Sequence, residues 1–130
     1  MSLINVGICG ASGKMGKALV RAVVNNNKLQ LSSALEHDSN NNIGKDSGTI
    51  ANIEPTGVNI ISNADKFFAD CDAVIDFSFA DASVENIKAA VKHNCAYVLG
   101  TTGLNEAQVE EIKSFSKSIN KDYTRSGCFS

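Results

Sequence analysis

Four glycines fall within VGICGASGKMGK, residues 6–17, where a run of strand character gives way to one of helical character. Ile4–Cys9 reads as a short buried strand. After it, Met15, Leu19 and Val23 recur at i, i+4 and i+8 with Ala18 and Ala22 alongside, the apolar stripe of an amphipathic helix. Between strand and helix, Gly10, Gly13 and Gly16 repeat at every third residue. In such a junction Gly10 permits the sharp turn, Gly13 lets the backbone approach a pyrophosphate, and Gly16 lets helix and strand pack closely. The helix start adds unpaired N–H groups and the positive end of a dipole, so an anion is expected there. A glycine-rich turn that merely joins a strand to a helix is the competing reading of the motif taken alone. GASGKMGK lacks the GxxxxGK[ST] spacing of a P-loop and its magnesium-binding hydroxyl, so nucleoside triphosphate hydrolysis is not expected.

The same alternation continues along the chain. Runs rich in apolar residues at Leu29–Leu35, Val58–Ile61, Ala73–Asp76 and Ala96–Leu99 read as strands. Helical spacing follows at Val84, Ile87 and Val91 and again at Val109, Ile112 and Ile119, the latter opened by Asn105 and Gln108 at capping-box spacing. Repeated βα units of this sort feed an open parallel sheet, an α/β architecture. Residues 38–57 shift to Asn, Ser and Gly, carry the only proline, Pro55, and read as a long surface connection. At 130 residues, 43% apolar and 20% charged, the chain suits one globular domain over 1–130, without room for a second full one.

Charge and cysteine usage exclude several function classes. Twelve basic and fourteen acidic residues lie scattered and give a formal net charge of −2, which speaks against nucleic acid or an anionic membrane as partner. No apolar run approaches the ~18 residues of a membrane helix and no secretory leader is visible, so the cytoplasm is the expected location. Cys9, Cys71, Cys95 and Cys128 show neither CxxC nor a Cys/His metal spacing. Reduced thiols, mostly filling the core, are expected, and no metal.

Glu36 lies twenty residues past Gly16 and closes the second strand in ALEH. A dinucleotide site needs an acid there, because one carboxylate can accept hydrogen bonds from both adenosine ribose hydroxyls. A solvated glutamate at a strand end is the plainer alternative. Two more strand ends, VIDFS with Asp76 and Ser78, and VLGTTG with Gly100, Thr101 and Thr102, put small or hydroxyl residues on the carboxyl edge of the sheet. They would surround the same crevice, although Asp76 and Ser78 also read as a local turn and helix start.

GASGKMGK, ALEH, VIDFS and VLGTTGLNEAQ, in this order and spacing, resemble the N-terminal half of the bacterial dihydrodipicolinate reductases, also called 4-hydroxy-tetrahydrodipicolinate reductases. The likeness covers nearly the whole chain, IGKDSG from Ile43 to Gly48 included, and GTTG followed by a helix is its most specific element. It implies a Rossmann-like open parallel sheet flanked by helices. It also implies an oxidoreductase that reduces an unsaturated dihydropyridine dicarboxylate on the route to diaminopimelate and lysine, with NADH or NADPH. By position, the resemblance puts Gly10, Ala11, Ser12, Gly13, Lys14 and Met15 on the pyrophosphate and Glu36 on the adenosine ribose. His37 stands where some members carry an arginine for the NADPH phosphate. Gly100, Thr101 and Thr102 would line the nicotinamide side, with Phe77 and Ser78 close by. Gly127, Cys128, Phe129 and Ser130 resemble a segment that touches the nicotinamide end, within residues 121–130 that begin a hinge to a second domain. Cys128 departs from the family's asparagine there, and Thr124 and Arg125 fall where the family has an apolar strand.

The family's substrate domain, with His-His-x-x-Lys-x-Asp-x-Pro-Ser-Gly-Thr, would follow Ser130, and residues 1–130 do not contain that motif. No catalytic residue is therefore expected in this chain, and His93 reads as a surface or helix-end residue. The expectation is a coenzyme domain, inactive by itself, whether excised, proteolytic or a genetic truncation. The family's homotetramer depends on the other domain, which leaves the assembly of this chain open. Two other readings remain: a non-catalytic NAD(P)-binding protein, and the nucleotide domain of another amino-acid dehydrogenase, against which GTTG argues.

Overall fold

The structure is a computed structural model that describes residues 3–100 and Glu106. Strands β1 (Ile4–Cys9), β2 (Leu29–Leu35), β3 (Ile60–Ile61), β4 (Ala73–Asp76) and β5 (Ala96–Leu99) pair in parallel, in the order β3-β2-β1-β4-β5. Helices α1 (Lys14–Val24), α2 (Ser47–Ile50), α3 (Ala64–Ala69) and α4 (Ala80–His93) join them. The chain runs from β1 outward to β3 and then returns to the other side of β1 as β4. Ligands of open α/β sheets bind beyond the carboxyl ends of the strands where the order reverses in this way, here at the tip of β1.

Strand alternation divides the core between the two faces. Val6 and Ile8 pack with Val20 and Val23 of α1 and with Leu31, Ala34 and Ile60. Cys9 and Leu35 turn the other way, onto Phe67 and Phe68 of α3, Ile87 of α4, and Tyr97 and Leu99. Both faces of the sheet are thus covered, as parallel strands with apolar residues on both sides require.

Three local readings of the sequence change, and one short helix joins them. Of the stripe expected at Met15, Leu19 and Val23, Val23 is buried on α1, together with Gly16 and Val20, whereas Leu19 is half-buried and Met15 is 49% exposed. A Cβ on Gly16 would overlap the Gly10 carbonyl oxygen. This close approach turns the face of α1 that carries Gly16 and Val20 toward the sheet. Residues 38–57 are more than a surface connection, since α2 lies within them and Ala51 is fully buried. The third strand is shorter than 58–61: the Val58 N–H goes to Thr56 Oγ1 and Asn59 makes an antiparallel bridge to Asp46. Helix α3 escapes sequence periodicity because it has six residues, yet Asn63 caps it and Phe67 and Phe68 anchor it edge-to-face at 4.9 Å. Of the helix expected around Val109, Ile112 and Ile119, only Glu106 is described, and it is helical.

Candidate functional site

The turn from β1 into α1 is wedged between its neighbours. Gly10 has φ +79°, its N–H donates to Leu35 O at 2.9 Å, and a Cβ there would lie 2.9 Å from Phe77 O. A side chain is therefore excluded by backbone conformation and by space at once. Gly13 is the N-cap of α1 and makes no side-chain cap, and no acidic residue stands in the first helical turn. The N–H groups of Lys14, Met15 and Gly16 open the helix without intrahelical acceptors. Lys14 and Met15 are exposed, and beside Gly13 the Gly10 oxygen at 3.4 Å is the one atom near a virtual Cβ. An uncapped helix start with open space in front of it is a seat for an anion.

Glu36 is locked to that turn. Its Oε2 accepts from Ser12 N at 2.9 Å and from Ser12 Oγ at 2.7 Å, while Asn40 Nδ2 donates to Ser12 Oγ at 3.0 Å. Oε1 accepts no hydrogen bond among the described residues, so one oxygen of a half-buried carboxyl remains for a ligand. Beside it opens a cleft of about 440 Å³, with Cys9 among its lining residues, Glu36, His37 and Asp38 along one side, and Phe79 and Asp81 along the other. Phe79 is 54% exposed, and its ring stands 6.2 Å from that of His37 at an interplanar angle of 47°. The sequence reading missed Phe79. A signal existed: it occupies the N-cap of α4, where Ser, Thr, Asp or Asn is the favoured choice. Its side chain makes no cap hydrogen bond to α4.

On the opposite side of β1, Asp76 ends β4 and is fully buried. Its carboxyl accepts from Ser78 N at 2.8 Å, Ser78 Oγ, Asn86 Nδ2 at 3.0 Å and the Tyr97 hydroxyl. Burial, and then Asp76 beside it, hold the Tyr97 hydroxyl well above the usual tyrosine range, so it stays a donor. Because Ser78 Oγ donates to Asp76, it presents only acceptor lone pairs to a ligand in the crevice. Burial, with Asp76 adding to it, likewise pushes the Cys9 thiol up, and burial raises Cys71 to about 12. Neither is a nucleophile at neutral pH.

Residues 4–123 match the family described as dihydrodipicolinate reductase, N-terminus. The chain belongs to this family. It is 37% identical over 117 residues to 4-hydroxy-tetrahydrodipicolinate reductase of Psychrobacter arcticus, covering 90% of this chain and 42% of the relative. The Burkholderia lata enzyme of the same name is 36% identical, with coverages of 89% and 43%. The chain thus spans less than half the length of these relatives. The solved dipicolinate-bound dihydrodipicolinate reductase of Paenisporosarcina sp. TG-14 superposes with a TM-score of 0.68 at 24% identity, over 88% of this chain and 43% of that one. An amine dehydrogenase of Mycobacterium smegmatis gives 0.74 at 16% identity, over 91% and 37%. At such identities the likeness shows the fold, a Rossmann-like sheet shared among dehydrogenases.

Of the positions that the dihydrodipicolinate reductase resemblance singles out, Gly10 to Met15, Glu36 and His37 gather on the β1 and β2 tips. Phe77 and Ser78 follow β4, and the Gly100 N–H donates to Asp76 O at 2.7 Å. Phe77 and Gly100 touch each other directly, since a Cβ on Gly100 would run into the Phe77 ring. Ser12 is committed to Glu36 rather than pointing at the helix start. Thr101, Thr102, Gly127, Cys128, Phe129 and Ser130 lie outside the described residues. His93 sits at the far end of α4, paired with Asp65 at 3.3 Å.

Proposed function

We propose that the chain is the coenzyme-binding part of a 4-hydroxy-tetrahydrodipicolinate reductase, taking NADH or NADPH, with residues 1–130 as one dinucleotide domain and 121–130 leading toward a substrate domain. The observation that carries this is Glu36, fastened through Oε2 to Ser12 of the glycine-rich turn with Oε1 left to accept ribose hydroxyls. The bound coenzyme supplies a transferable hydride at C4 of its nicotinamide. The chain's own residues bind and orient. The first N–H groups of α1, with Gly13 and Lys14, hold the pyrophosphate; Glu36 holds the adenosine ribose; Ser12 acts through Glu36. Phe79 and His37 offer the adenine an aromatic surface. Phe77, Ser78 and Gly100, with Thr101 and Thr102, form the nicotinamide end, and Gly127 to Ser130 would close it. The coenzyme is the partner in this reading, the cytoplasm the location.

Substrate-dependent chemistry needs more than these residues. Positioning of reactants accounts for as much as ~7–11 kcal/mol of barrier lowering, and residues 1–130 do not contain the family's His-His-x-x-Lys motif. The 130-residue chain by itself should bind NADH without oxidising it. Calorimetric titration measures the first. The second is followed by NADH absorbance, with the unstable substrate generated in situ by the preceding synthase and a full-length reductase as positive control. Absence of NADH binding would remove the proposed site. Turnover by the isolated chain would show a proton donor within residues 1–130.

A further inference from the structure

We propose that Asp38 selects the coenzyme: its carboxylate sets the adenosine end of the cleft against a ribose 2′-phosphate and makes this an NADH site. The inference deepens the nucleotide-binding reading and rests on it. Glu36, half-buried, directly follows β2, and Asp38, two residues on, lines the same cleft with its side chain 80% exposed. A 2′-phosphate on a ribose held by Glu36 projects toward this segment, where NADP-binding sites place an arginine. Here the described residues lining the cleft include four acids, Glu36, Asp38, Asp81 and Glu85, and no lysine or arginine.

His37 is the single cationisable side chain among them, and its geometry works against a phosphate. Its Nδ1 is crowded by Ser39 Oγ at 2.8 Å, Ser39 N at 3.2 Å and Asp38 Oδ1 at 3.2 Å. Only Nε2 is left to reach a ligand, and any positive charge on the ring is met first by Asp38. The resemblance that puts His37 in place of a phosphate-binding arginine is therefore countered by its own neighbour. Like charges a few ångströms apart at a solvated surface repel by amounts that change affinity several-fold and fade with salt.

The test is a titration of the 130-residue chain and of Asp38→Asn and Asp38→Ala with NADH and NADPH, at low salt and at ~0.5 M salt. Asp38 is exposed and its carboxylate holds no backbone group, so both variants should keep the wild-type thermal midpoint. We expect the wild type to prefer NADH. Both variants should gain about three- to tenfold in NADPH affinity with NADH affinity within about twofold, and high salt should narrow the wild-type ratio. A wild type that prefers NADPH, or a ratio unchanged in both variants, overturns the proposal. If the wild type binds neither coenzyme, the nucleotide site itself falls and the selectivity argument with it.

Discussion

Two acids end the strands on either side of β1, and they do opposite things. Glu36, at the tip of β2, is half-buried, spends one oxygen on Ser12 and keeps the other toward the cleft. Asp76, at the tip of β4, is fully buried, and both its oxygens are taken up by Ser78, Asn86 and Tyr97. Equivalent places in the sheet thus yield one acid with capacity left for a ligand and one that holds the walls of the crevice in place. What separates them is the supply of internal donors: α4 and β5 bring Asn86 and Tyr97 to Asp76, whereas among the described residues only the turn residue Ser12 reaches the Glu36 carboxylate. An acid on the carboxyl edge is a ligand-binding candidate when its lone pairs outnumber its internal donors.

The comparison breaks most visibly at Asp76. Asp76→Ala leaves the buried Asn86 amide and the Ser78 N–H without this acceptor, and the Tyr97 hydroxyl with only Ser83 O at 3.5 Å. One or two buried donors stranded at about 1–3 kcal/mol each predict a loss of about 2–5 kcal/mol in stability. Urea unfolding of the two proteins measures it directly. A loss below about 1 kcal/mol would mean that the network is not what secures the β4–α4 turn.

Glu36 should respond in the other currency, binding rather than folding. Glu36→Ala removes an acceptor from ribose hydroxyls, for which charged hydrogen bonds set a scale of about 1.5–3 kcal/mol, equivalent to about ten- to a hundredfold in NADH affinity. Its cost to stability should be smaller, because Ser12 lies on an accessible turn where water can replace the carboxylate. NADPH should lose less, since removing Glu36 also removes a negative charge that opposes the 2′-phosphate. Calorimetry with both coenzymes decides this, and an unaltered NADH affinity would take Glu36 out of the site.

Much of this contrast was legible in the chain, and the illegible part has a physical cause. The bounds of β1, β2, β4 and β5 follow from short apolar runs closed by turn residues, and Glu36 follows from its distance to Gly16, because both are local spacings. The roles of Asp76 and Phe79 depend on side chains brought together by folding. Asn86 is ten residues from Asp76 and Tyr97 twenty-one, and His37 meets Phe79 across the cleft. The inward turn of Val20 rests on backbone contact between Gly16 and Gly10, which periodicity cannot register. Helix α3 is too short to show a period at all.

Asp46 gives the comparison its third member, an acid that serves chiefly the backbone, with Thr56 Oγ1 at 3.4 Å as its one side-chain donor among the described residues. It caps α2 and accepts from the N–H groups of Gly48, Thr49, Thr56 and Gly57 at 2.7 to 3.3 Å, away from the residues lining the cleft. Desolvation works to raise its pKa, but these four donors prevail and hold the carboxyl below its ordinary value. A depressed folded-state pKa means stability that is fully present above the unfolded value, ~3.9, and lost as pH falls through the lower folded one. Asp46→Ala should therefore cost about 1–2 kcal/mol at pH 7, the scale of a lost N-cap, with NADH affinity unchanged. Below pH ~4 the gap to the wild type should shrink, because the wild-type carboxyl is itself being protonated. Urea midpoints taken from pH 7 down to pH ~2.5 trace this. A gap that stays constant over that range would show the ionised carboxylate contributes nothing, and a weakened NADH affinity would show that the α2 part of the long connection bears on the site, as Asp38 and Asn40 at its start already do.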